Sequence, residues 1–154
     1  MAACWKSGGK LEWISLIPRR ETDRFDVSVR CDMKEQEDAI NLLLKYLRGH
    51  GAGEFEAPVV HCIDELMMNI ITFSESGKDS CIDVTVTVRD GNVRASIRSG
   101  GKPFDPTKVK EENKKFGLKI VSHYCRKLEY QYFYGQNMIF ATWNNDDIQK
   151  GNMI

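Results

Sequence analysis

Glu65 and Asn69 stand one helical turn apart in Asp64-Glu65-Leu66-Met67-Met68-Asn69, and a glycine-proline turn, Ser99-Gly100-Gly101-Lys102-Pro103-Phe104-Asp105-Pro106, follows later in the chain. At about 3.6 residues per turn, side chains at i and i+4 stack on one face of a helix, so a carboxylate and a carboxamide there can converge on one cation or one water. Mg²⁺ prefers oxygen ligands and keeps several of its waters, so one Asn oxygen together with substrate phosphates can hold it. Glu65, one turn earlier, would then orient or deprotonate a nucleophile. The combination predicts a nucleotide-phosphate site. Taken alone, an i, i+4 pair is common on the polar face of any amphipathic helix. His61 adds a His-x-x-x-Glu spacing, but with no third ligand in view it reads as a helix-surface histidine.

The elements that must carry these residues are legible from periodicity. Phe25, Val27 and Val29 alternate with polar residues as in a half-buried strand, and Asp32 can cap a following helix that carries Ala39, Leu42, Leu43, Tyr46 and Leu47. Gly49 and Gly51 stop that helix. A second helix starts near Pro58 and runs through Val59, Cys62, Ile63, Leu66, Met67, Ile70 and Ile71, with His61, Glu65 and Asn69 on its other edge. Alternation around Asp90-Gly91 predicts a hairpin with one buried face. Residues 116–128 read as a helix with Leu118, Val121, Tyr124 and Leu128 along one face, and two further strands, 129–134 and 137–143, flank a Gly135-Gln136 turn. Helices segregated from runs of antiparallel strands predict an α+β, two-layer sandwich, with helices packed on one face of a mixed, mostly antiparallel sheet. The domain is expected over residues 23–145, with 1–22 an N-terminal arm or linker and 146–154 a C-terminal tail.

In this order, the elements and motifs resemble the GHKL (histidine kinase-like, Bergerat-fold) ATP-binding domains, and among them are most similar to the anti-sigma-factor serine kinases. Glu65 and Asn69 match that family's helical Glu and Mg²⁺-binding Asn. Gly101, Pro103, Phe104, Asp105 and Pro106 match its Asp-x-Gly-x-Pro-Phe-Asp-Pro turn, and Gly117-Leu118 match its Gly-Leu near the start of the helix after the lid. The resemblance implies ATP and Mg²⁺ as cofactors, with Glu65 as the catalytic residue and Asn69 as the metal ligand. Asn69, Ser99, Gly101, Pro103, Phe104, Lys115, Gly117 and Leu118 would bind ATP. Gly101 would let backbone approach a planar base, Gly117 would expose amide groups to phosphate at a helix start, and Lys108, Lys110, Lys114 and Lys115 would cover the triphosphate. Two positions depart from the pattern. Ser99 stands where the family has an aspartate that accepts from the adenine amino group, and Lys115 stands where it has a further glycine. The resemblance also implies a regulatory protein partner, a sigma factor or an antagonist-like protein, and allows a homodimer.

Composition narrows the alternatives. The chain has 154 residues, one domain's worth, and 22 basic against 22 acidic side chains, without the basic excess of a domain that binds nucleic acid directly. Cys4, Cys31, Cys62, Cys81 and Cys125 form no C-x-x-C pair, which argues against zinc and disulfide frameworks and for a reducing cytoplasm. No apolar run reaches the ~20 residues of a membrane-spanning helix, so no membrane insertion is expected. Two functions remain, an ATP-binding regulatory domain of the anti-sigma-factor serine/threonine kinase type or a degenerate, non-catalytic module of the same fold, and a third reading makes the chain a cytoplasmic domain cut from a larger signalling or transport protein.

Overall fold

A computed structural model describes residues 24–77, 79–109 and 116–144; the expected N-terminal arm, the C-terminal tail and Lys110, Lys114 and Lys115 of the lid lie outside them. Five strands and three helices are described: β1 (Arg24–Arg30), α1 (Met33–Gly49), α2 (Glu56–Phe73), β2 (Cys81–Arg89), β3 (Asn92–Gly100), α3 (Phe116–Tyr124), β4 (Lys127–Phe133) and β5 (Gln136–Asn144). The strands form one sheet in the order β1-β2-β3-β5-β4. Every described pair in it is antiparallel, so the mixed character expected from the sequence is absent among the described strands.

Strand alternation explains the two layers. In β2, β3 and β5 the apolar residues Ile82, Val84, Val86, Val93, Ala95, Ile97, Ile139, Ala141 and Trp143 are buried, and their neighbours in sequence face the other way. That buried face meets Leu43 and Leu47 of α1 and Val59, Cys62, Ile63, Leu66, Met67 and Ile70 of α2 in one continuous core. Each large side chain taken fully out of water there contributes about 1.5–3 kcal/mol. Cys62 is among them; burial pushes its thiol up to about 12. The opposite sheet face is polar and cross-linked: Ser28 donates to Asp83 at 2.7 Å, Arg98 pairs with the same carboxylate at 2.7 Å, and Thr85 donates to Asp26 at 2.7 Å.

Local signals set the element ends. Asp32 accepts from the Lys34 amide at 2.8 Å and so caps α1. A short 3-10 turn over Gly53–Phe55 leads into α2, which begins at Glu56 and takes Pro58 in its first turn, where the missing amide proton costs nothing. Asp90 and Gly91 have φ values of 50° and 72°, the left-handed pair that joins β2 to β3. The β4–β5 turn falls one residue earlier than predicted: Tyr134 and Gly135 carry the positive φ values of 49° and 71°, and Gln136 already belongs to β5. Likewise α3 ends at Tyr124, not at 128. The Arg126 amide pairs with the Thr142 carbonyl at 2.9 Å, which opens β4, and Leu128 packs against the core as a strand residue. No described helix is long and apolar enough to cross a membrane.

Candidate functional site

Asn69 is 7 % exposed on α2, and its Nδ2 donates to the Glu65 carbonyl at 2.7 Å, one turn back. That bond fixes the carboxamide with its proton-bearing side on the helix. It leaves Oδ1, the atom able to ligate a cation, without a recorded partner among the described residues.

Glu65 itself reaches across to α3. Its carboxylate lies against the α-carbon of Gly117, in the volume a β-carbon at that position would fill. Gly117 is therefore required in this arrangement by the neighbour it accommodates. Leu118, next in the chain, is buried, so its described part in the site is packing.

The second half of the site is the turn after β3. Ser99 is the last buried residue of that strand, 1 % exposed, and its hydroxyl has no hydrogen-bond partner among the described residues. An orphaned buried hydroxyl costs about 1–3 kcal/mol, which makes it a candidate contact for a ligand. Gly101 follows with φ 99°, and a side chain there would run into the carbonyl of Ser74, just past the end of α2. The Lys102 amide donates to that same carbonyl at 2.6 Å. Close approach to the backbone of Ser74 is thus a reason for Gly101 that the sequence did not reveal. Pro103 is exposed, and Phe104 stacks on Phe73 with ring centroids 5.2 Å apart. Asp105 then closes the segment, accepting from the Thr107 amide at 2.9 Å and the Thr107 hydroxyl at 2.6 Å.

The helix α2 joins the two halves. Asn69 and Ser74, five residues apart on that axis, are separated by roughly 7.5 Å of helical rise, so the Gly101 turn begins just beyond the Glu65–Asn69–Gly117 cluster. Of the sequence-predicted residues, Glu65 meets Gly117 at the α2–α3 contact, with Asn69 one turn further along α2 and Leu118 buried beside Gly117, and Ser99, Gly101, Pro103 and Phe104 form the turn after β3. Lys115 lies outside the described residues. His61 is exposed, and no group of three His, Cys, Asp or Glu side chains capable of holding a metal occurs among the described residues.

The sequence reading missed three residues that shape the turn from behind. Asn137, on β5, is 1 % exposed and accepts from the Phe104 amide at 2.9 Å and from the Tyr130 hydroxyl at 2.6 Å. Its Nδ2 donates to the Lys102 carbonyl at 2.9 Å. Tyr132 adds a hydrogen bond to the Gly101 carbonyl at 2.9 Å. Burial raises the Tyr130 phenol above its ordinary pKa, so it stays a donor at neutral pH. Nothing local marks Asn137: at the start of the expected strand 137–143 it reads as one polar strand residue among others.

No protein-family model and no curated protein sequence matches the chain. Solved structures do match. The RsbU and RsbW domains of Rv1364c from Mycobacterium tuberculosis align with a TM-score of 0.62 at 19 % identity, over 79 % of this chain and 32 % of that one. The histidine kinase domain of the blue-light activated histidine kinase from Erythrobacter litoralis aligns with a TM-score of 0.52 at 12 % identity, over 77 % of this chain and 62 % of that one. This chain therefore spans about a third of the first relative and under two thirds of the second. At such identities the likeness speaks for architecture alone, and it agrees with the order of helices, hairpins and turns derived above: the chain shares the α+β fold of these two structures.

Proposed function

We propose that this chain is an ATP-binding regulatory domain of the anti-sigma-factor serine/threonine kinase type, which binds Mg-ATP and a regulatory protein partner. The observation that carries the proposal is the cluster at the α2–α3 contact, where the Glu65 carboxylate lies against Gly117 and the uncommitted Oδ1 of Asn69 lies one turn away. In phosphoryl transfer the protein supplies positioning and charge neutralisation more than covalent chemistry. Asn69 would hold Mg²⁺, which when bound neutralises phosphate charge. The first-turn amides of α3 would bind phosphate oxygens. Glu65 would accept the proton of an incoming serine hydroxyl. Ser99, orphaned and buried, would face the base beside the turn.

Ser99 also supports a second reading, a degenerate module without catalysis. A neutral hydroxyl replaces the family's aspartate, and charge-assisted hydrogen bonds are roughly twice as strong as neutral ones.

Calorimetric titration with ATP and ADP, with and without Mg²⁺, tests the proposal on the wild type and on Asn69→Ala. Mg²⁺-dependent ATP binding that is lost in Asn69→Ala is the expected result. Wild type and variant with equal affinity at saturating Mg²⁺ would remove Asn69 from the site, and no binding by either would defeat the nucleotide reading. In the same series, Glu65→Gln keeps affinity but loses phosphate transfer if the kinase reading is right; the degenerate module shows no transfer in the wild type.

A further inference from the structure

We propose that Asn137 is the positioning residue of the nucleotide-binding turn: its buried carboxamide, with Tyr130 and Tyr132, fixes the backbone of residues 100–104 and thereby sets affinity for the base end of the ligand. The inference rests on the nucleotide reading above and deepens it.

A carboxamide offers two lone pairs and two protons, and Asn137 commits all four. Oδ1 accepts from the Phe104 amide and the Tyr130 hydroxyl; Nδ2 donates to the carbonyl of Lys102 at 2.9 Å and, at a longer 3.5 Å, to that of Gly100. One side chain thus holds the entry and the exit of the turn together. Tyr132 holds the Gly101 carbonyl between them, and the Ser74 carbonyl takes the Lys102 amide from the opposite side. Among the described residues, the backbone hydrogen bonds recorded for residues 101–104 all go to these outside groups and none closes the turn upon itself. Its shape is imposed by β4, β5 and the end of α2.

A surface turn needs no such device for stability. Lys102 and Pro103 are exposed, and turns of this length ordinarily satisfy their backbone with water or with one internal hydrogen bond. A fully satisfied buried network specifies one geometry, and preorganisation lowers the ordering cost of binding. The location fits that purpose. Asn137 is the cross-strand partner of Ser99, whose buried hydroxyl has no partner among the described residues. Phe104, held through its amide by Asn137, is the residue stacked on Phe73. Asn137 acts through the turn it holds.

Asn137→Ala and Tyr132→Phe test this, with calorimetry against ATP, adenosine and inorganic tripolyphosphate and with amide hydrogen exchange of the free protein. Asn137→Ala should weaken ATP and adenosine alike by on the order of tenfold, the equivalent of one or two net hydrogen bonds, and leave tripolyphosphate unchanged. Exchange should accelerate at the amides of residues 102 and 104 and not across β2 and β3. Tyr132→Phe, at an exposed position and safe for folding, should show the same pattern at roughly twofold to fivefold. If Asn137→Ala fails to fold, Tyr132→Phe decides. Equal losses for tripolyphosphate, or faster exchange throughout the sheet, would make the role structural and overturn the inference while the nucleotide reading stands. Unchanged affinity for ATP in both variants would overturn it as well. A wild type that binds neither ATP nor adenosine would defeat the reading and this inference with it.

Discussion

Gly101 and Gly117 both sit where a methyl group has no room, yet what stands in the way differs. At Gly101 the obstruction is backbone, the Ser74 carbonyl, and the glycine's own φ of 99° lies where side chains are strained. At Gly117 the obstruction is the carboxylate end of Glu65, the far tip of a side chain with several rotatable bonds. The turn end of the site is therefore fixed by main chain and by a buried amide, and the α3 end by a side chain that can swing away. Rigidity serves recognition of a flat, rigid group, and a movable carboxylate suits chemistry in which a proton changes hands.

Gly101→Ala should break the fixed end outright. Strain at positive φ and displacement of the Ser74 carbonyl together predict a loss of about 3 kcal/mol, read as a lower midpoint in urea denaturation with an unchanged slope. A loss under ~1 kcal/mol would mean that the turn is not clamped to the end of α2. Gly117→Ala sharpens the contrast from the other side. Alanine gains up to ~1 kcal/mol in helix propensity, which offsets the cost of rotating Glu65, so stability should stay within about 1 kcal/mol of wild type. Any phosphate transfer should nevertheless fall by roughly a hundredfold or more, because the displaced carboxylate no longer accepts the proton. Full retention of transfer would take Glu65 out of the chemistry. The smallest effect belongs to Lys102→Ala. The Lys102–Glu75 ion pair, at 2.5 Å, is exposed on both sides, and such pairs contribute ~0–1 kcal/mol. A stability change beyond about 1 kcal/mol would show that the lysine side chain, and not only its backbone, holds the turn.

The parts of this molecule that follow local rules were legible in the chain. Alternation in β2 and β3, the Asp90-Gly91 turn and the Asp32 cap depend on residues a few positions apart. Helical spacing alone places Glu65 and Asn69 one turn apart on α2, where the structure also has them. The end of α3 was misplaced because Leu128 continues the helical series of Leu118, Val121 and Tyr124 while reaching the core from a strand. Periodicity cannot see the break at Cys125 and Arg126, which is made by pairing with Thr142. Gly117 was picked out for a Gly-Leu match and for amides it would expose at a helix start, whereas the Glu65 carboxylate that fills the space beside it comes from a different helix. Asn137 carries no local signal: its meaning depends on Lys102 and Phe104, far upstream, and on Tyr130 across the β4–β5 turn.

The buried thiol of Cys62 turns the core into a clock. Thiolate is the reacting form, and a group held near 12 and sealed beneath the sheet presents almost none of it at neutral pH. Alkylating reagents can therefore reach Cys62 only in molecules whose core has opened around it. Since Glu65 and Asn69 ride on the same helix as Cys62, the labelling rate of this sulfur sets an upper limit on how often the candidate catalytic helix leaves its place.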